Sequence, residues 1–215
     1  MILLSRNSYS FFCDSMPRIS ETHREMRQKQ ILNAAWRCFF RSGVQATTME
    51  DIIGEAGLSA SAMYRYFKGK EDIIFSAISA SLSELSVRLI PIFESMREKG
   101  PSEWITSVTT EIQNFSAKEE FNLLPIAIHG WSEAQRSESI RKLIAEFYLK
   151  IRLRLEILAE DWQKNGRISN VTSPANIAQT LMSLVLGFVA QTAITGDTTS
   201  LAHSEGISAF SVKRN

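Results

Sequence analysis

The chain has 215 residues, with 24 Lys and Arg against 23 Asp and Glu, a net charge of +1, 44% apolar and 22% charged residues. These values fit a folded chain with a real core in one or two domains and exclude a low-complexity polymer. Near-neutral charge excludes a bulk basic domain, so a nucleic-acid partner would have to be held by cations placed locally.

Residues 1–20 differ from the rest. Met1 to Leu4 is apolar but short, and no small-residue cleavage site follows it, so a signal peptide is not expected. Met16, just ahead of Pro17-Arg18-Ile19-Ser20, reads as the translation start, or else the preceding extension as a disordered tail. Residues 21–42 read as the first helix, with Ile31, Ala35 and Phe39 at helical spacing beside Leu32 and Cys38. Arg24, Arg27 and Lys29 precede that face, either as a solvated helix end or as phosphate-steering cations. Ser42-Gly43 closes the helix.

The next stretch, Thr47 to Asp72, alternates start and stop signals. Thr47 and Glu50 have capping-box spacing, Ile52, Ile53 and Ala56 form one apolar face, and Gly57 ends a short helix in a left-handed conformation. Leu58 plugs the corner and Ser59 caps a second short helix, which turns Met63 and Phe67 inward. Gly69 ends that helix and opens another, with Glu71 and Asp72 in its first turn. Two short helices about a glycine turn are the parts of a helix-turn-helix, whose second helix enters the major groove. On the face from Ser59 to Lys70, small Ala60 and Ser61 allow close approach to base edges. Tyr64, Tyr66 and Lys70 are long enough to donate to phosphates, and Arg65 reaches either a phosphate or a guanine.

Thr48 with Ile52, Gly57-Leu58-Ser59 and, above all, the run Met63 to Asp72 resemble the TetR family of one-component transcriptional regulators. The resemblance covers residues 24–75 and implies an all-helical homodimer, with N-terminal DNA-binding domains and C-terminal domains that dimerise and bind a small effector. Carried over by position, it places Thr48, Tyr64, Tyr66 and Lys70 on phosphates, with Ala60, Ser61 and Arg65 at or near the bases. A threonine that often precedes the hydrophobic residue and tyrosine is Ala62 here, which removes one hydroxyl contact.

From Lys70 a fourth helix runs through Ile73, Ile74, Ala77, Ile78, Leu82 and Leu85 to Leu89 or beyond, where Pro91 must kink or end it. Twenty helical residues span roughly 30 Å, so this helix links the DNA-facing unit to the distal core. After Gly100-Pro101-Ser102 comes a fifth helix with Trp104, Ile105, Val108 and Ile112. A sixth carries Phe121, Leu124, Ile128 and Trp131, and is expected to bend at Pro125. The seventh, Glu138 to Lys164, buries Ile140, Ile144, Phe147, Ile151, Leu155 and Leu158, with Lys150, Arg152 and Arg154 on its wet side. The eighth, Pro174 to Ile194, is apolar around most of its girth and needs cover on two sides, one of them a second subunit. Leu184, Gly187, Phe188 and Gln191 are the expected dimer contacts. A weak ninth helix spans Leu201 to Phe210.

The chain thus reads as all-α, with about nine helices. Residues 1–20 are an extension, 21–69 a three-helix helix-turn-helix DNA-binding domain, and 70–215 a helical bundle for effector binding and dimerisation. Leu89, Trp104, Val108, Leu124, Ile128, Trp131, Phe147 and Ile151 are candidates to line a cavity for an apolar or aromatic effector, with plain core the favoured reading of each taken singly. Glu111 and Glu133 read as surface carboxylates, ahead of the alternative that they meet a cationic ligand. His23, His129 and His203 have no metal spacing, no cofactor motif is present, and Cys13 and Cys38 make no disulfide framework, which fits a reducing cytoplasm. No apolar run reaches membrane-spanning length. No nucleophile or phosphate-loop motif supports an enzyme. The sequence therefore predicts a dimeric repressor on a palindromic duplex operator, released by a small molecule. The alternative is a helical ligand- or partner-binding protein without DNA binding.

Overall fold

The structure, a computed structural model, describes residues 21–117, 123–196 and 205–206. The expected N-terminal extension, Cys13, Phe121, His203 and nearly all of the expected ninth helix lie outside them. Eight helices make up the described fold. The repeat read in residues 21–42 forms α1 (Glu21–Ser42), which buries Ile31, Ala34, Ala35, Cys38 and Phe39. Gly43, at φ 79°, turns the chain toward α2 (Met49–Ala56).

The cap of α2 sits one residue later than the Thr47–Glu50 pair expected. Thr47 is buried and its hydroxyl donates to the Gly43 carbonyl at 2.8 Å, so it closes the turn instead. Thr48 takes the extended cap conformation, accepts from the Asp51 amide at 3.1 Å and donates its own amide to Asp51 Oδ2 at 2.8 Å. Gly57, at φ 64°, ends α2 as expected, with its amide on the Gly54 carbonyl and that of Leu58 on Ile53. Ser59 caps α3 (Ala60–Met63) by accepting from Ala62.

The long α4 (Lys70–Ser95) does not stop at Pro91. Pro91 and Val87 both lie on its exposed face, where water can take the carbonyl left by the missing amide. Then follow α5 (Pro101–Ser116), α6 (Leu123–Ala134), α7 (Glu138–Lys164) and α8 (Pro174–Thr195). Pro125 falls in the first turn of described α6, and the bend expected there depends on residues 118–122, outside the described range.

Two apolar cores result. One joins α1–α3 to Ile73, Ile74 and Ile78 of α4, and to Ala134, Ile140 and Ile144 at the α6–α7 corner. The other joins Leu89 and Phe93 to Trp104, Ile105, Val108, Leu155, Trp162, Leu181 and Phe188. Trp162 donates its indole N–H to the Met96 carbonyl at 2.9 Å, tying the end of α7 to that of α4. Contrary to the sequence expectation, α4 and α8 are each long and apolar enough to cross a membrane. Both supply residues to these cores, and their apolarity comes from a high average with few charges rather than from an unbroken run.

Candidate nucleic-acid interface and apolar cavity

Side-chain contacts pin α2 to α1. Glu55 accepts from Arg37 at 2.7 Å and from Arg41 at 3.2 Å, and Gln30 donates to the Ala56 carbonyl at 2.8 Å. The two guanidiniums, Arg37 first, hold the Glu55 carboxyl below the usual range. Cys38 is buried beneath them, and burial pushes its thiol up, which keeps it in the unreactive form. On this base α3 is short. Regular helix ends at Met63, and the chain tightens into three-residue turns through Arg65 and Tyr66.

Met63 and Phe67 are the residues that α3 and its following turn send inward, at 0% and 3% exposure. Ser59, Ala60, Ser61 and Arg65 are exposed, and Tyr64 is 53% exposed, so this face projects from the bundle. Tyr66 is half-buried with its ring against the first core. Lys70, at the start of α4, donates one ammonium hydrogen to the Gln45 carbonyl at 2.8 Å. Thr48 is exposed, but its hydroxyl lies 2.8 Å from Asp51 Oδ2 and donates there. To meet a phosphate it would have to leave an anion that repels the same ligand.

A cavity of about 170 Å³ lies between the helices. Of the residues expected to line it, Leu89, Trp104, Val108, Leu124, Trp131, Phe147 and Ile151 do so, and Ile128 does not. Sequence reasoning missed that the wall also takes Trp36 and Phe39 from α1 and Val44 from the turn after it. The cavity therefore touches the α1–α3 unit directly. Trp131 donates to the Tyr148 hydroxyl at 2.7 Å, while burial raises the Tyr148 phenol against that bond. Trp104 is buried on the wall with its indole N–H unpartnered among the described residues.

The expectation that both glutamates sit on the surface holds in part. Glu111 pairs with Arg88 at 3.2 Å on the outside. Glu133 is only 8% exposed, lines the cavity, and accepts a hydrogen bond from the Gln45 side chain. Nothing local flags this, because α6 reaches the turn after α1 only through the folded chain.

Of the expected dimer contacts, Gln191 is exposed and Leu184 and Gly187 are half-buried, but Phe188 is fully buried within its own chain. Phe188 belongs to the intramolecular core, because that side of α8 is covered by the rest of the bundle. A stripe the sequence did not suggest lies on α7, where Leu149, Leu153 and Ile157 are 45%, 50% and 55% exposed at four-residue spacing.

Residues 31–77 match the family model for bacterial regulatory proteins of the tetR family. The chain is 26% identical over 173 residues to the uncharacterized HTH-type transcriptional regulator YfiR of Bacillus subtilis (strain 168), covering 80% of this chain and 83% of that one. In fold it is similar to a TetR transcription regulator from Haloarcula marismortui, with TM-score 0.71, 16% identity and coverage of 86% and 96%. A Saccharomonospora viridis protein solved in complex with choline superposes with TM-score 0.68 at 18% identity, covering 86% and 95%.

Proposed function

We propose, from the premise that this chain is a TetR-family transcriptional regulator, that it is a homodimeric repressor which binds a roughly palindromic operator and is released by a small molecule. The observation that carries the reading is the division of labour around α3. Met63 and Phe67 hold it to the core, while Ser59, Ala60, Ser61, Tyr64 and Arg65 stand clear of the bundle.

Ala60 and Ser61 let the helix approach base edges, and Arg65 supplies the fork that reads a guanine. Tyr64, Tyr66 and the ammonium hydrogens of Lys70 not given to Gln45 anchor phosphates. Thr48 joins them only if its hydroxyl leaves Asp51. A second copy covers the α7 stripe of Leu149, Leu153 and Ile157 together with Leu184, Gly187 and Gln191 of α8, and sets the two reading heads about 35 Å apart.

The effector occupies the apolar cavity, whose volume is close to the roughly 150 Å³ that holds a benzene-sized molecule. That a structural neighbour carries choline supports a small organic ligand. Release requires the ligand to bind a head spacing unsuited to DNA better than the DNA-bound one, with α4 as the rigid connection. The regulator works in the cytoplasm, beside the chromosome.

The test is selection of duplexes from a random-sequence pool by the purified protein, followed by footprinting and titration. A two-fold symmetric site is expected. Tyr64→Phe and Lys70→Ala should weaken binding to all sequences and leave the fold intact, whereas Arg65→Ala should relax preference at one position, by about 1–3 kcal/mol of discrimination. If the Tyr64→Phe/Lys70→Ala double variant kept full DNA affinity, a helical partner-binding protein would be the better reading.

A further inference from the structure

We propose that the effector is an organic cation whose charge is met by Glu133, and that Gln45 transmits its arrival to Lys70. The proposal rests on the reading of the chain as a ligand-responsive regulator and adds the ligand's charge and the route of its signal.

A carboxylate withdrawn from water needs a compensating partner, and a neutral amide is a weak one. Glu133 is in that position. It is 8% exposed on the wall of a largely apolar cavity, and its side chain accepts from the Gln45 amide. Among the described residues no lysine, arginine or histidine pairs with it. The same wall presents the faces or edges of Trp36, Phe115, Trp131, Phe147 and Tyr148. A cavity that holds both aromatic rings and a carboxylate suits an alkylammonium group, which gains from ring quadrupoles and from the anion together. A neutral apolar ligand would gain nothing from Glu133.

The position of Glu133 also sets what its capture does. Gln45 lies in the turn between α1 and α2, exposed to solvent, and its side chain reaches back to Glu133 on α6. Its main-chain carbonyl receives the Lys70 ammonium at 2.8 Å. One residue therefore joins the cavity wall to a side chain proposed to hold phosphate. A cation that draws Glu133 inward competes with Gln45 for the carboxylate. Loss of that bond frees the turn, and with it the carbonyl that fixes Lys70.

The experiment uses benzyltrimethylammonium and its neutral carbon analogue, neopentylbenzene, with binding followed by calorimetry or tryptophan fluorescence on the full chain without DNA. Wild type should bind the cation at least tenfold more tightly than the neutral compound. Glu133→Gln should lose that preference while binding neopentylbenzene within twofold of wild type, which also reports an intact cavity. Equal cation affinity in wild type and Glu133→Gln would overturn the charge assignment. The second arm measures affinity for a duplex selected by the wild-type protein, with and without the cation. Gln45→Ala, which lacks the competitor for the carboxylate, should bind the cation at least as tightly as wild type, yet show less than twofold loss of DNA affinity on its addition, where wild type loses tenfold or more. Full release in Gln45→Ala would overturn the route. Failure of the wild type to select any duplex would instead strike the DNA-binding reading and leave the first arm to judge the cation.

Discussion

Thr48 caps α2, and that role conflicts with the phosphate contact proposed for it. Its hydroxyl and amide close the cap of α2 with Asp51, and the hydrogen bonds from Thr48, backbone first, hold the Asp51 carboxyl below the usual aspartate range. Thr48→Ala should cost about 1 kcal/mol of stability, or roughly 2–4 °C in Tm for a chain of this size. Thr48→Ser should cost much less, because it keeps the oxygen. A carboxyl whose pKa falls on folding stabilises fully above its unfolded value, and that contribution is lost as pH drops through the native one. The Tm deficit of Asp51→Asn should therefore be complete at pH 7 and shrink below the ordinary aspartate range. A deficit unchanged in acid would mean that the cap does not need the charge. DNA titrations of Thr48→Ala confound stability with contact, and Thr48→Ser is the cleaner probe.

Among the elements, α8 poses the sharpest question, because its composition does not say which face is covered. A helix apolar on most sides has no wet stripe to orient it, and that is why Phe188 was assigned to the subunit interface although it lies wholly inside its own chain. Gly187 is one turn position from it and meets nothing within 4 Å that an added Cβ would strike. Within one chain, Gly187→Ala should therefore stabilise the helix by about 1 kcal/mol. If a partner helix approaches at that glycine, the same change should raise the dimer dissociation constant at least tenfold, which is the outcome expected here. Analytical ultracentrifugation across a concentration series decides between them, and an unchanged constant would move the interface off Gly187. By contrast, α2 and α7 carry capping residues at both ends, and their limits were readable to within a residue or so.

For the whole molecule, the exposed Leu149, Leu153 and Ile157 together with α8 are the surface proposed to pair so that two heads span one turn of DNA. Leu153→Glu should give a folded monomer by sedimentation with unchanged helix content. Its affinity for a symmetric duplex should fall at least tenfold, because the second head no longer benefits from tethering. A dimeric Leu153→Glu would place the interface elsewhere. Linkage adds a check on the effector at the same scale. Whatever factor the ligand removes from DNA affinity, DNA must remove from ligand affinity.

Helical class, the glycine turn at Gly57, the inward pair Met63 and Phe67 and the outward Tyr64 and Arg65 were legible in the residues alone. Each depends on caps, left-handed glycines or a 3.6-residue period acting over a few neighbours. Seven of the eight residues expected on the wall do line the cavity, since they are inward positions of long helices. Folding in space decided the rest: the α1 wall of the cavity, the burial of Glu133, its bond to Gln45, and the bare stripe on α7. Those features depend on which helix lies across which, and a local pattern of apolar and polar residues carries no record of residues 88 positions away.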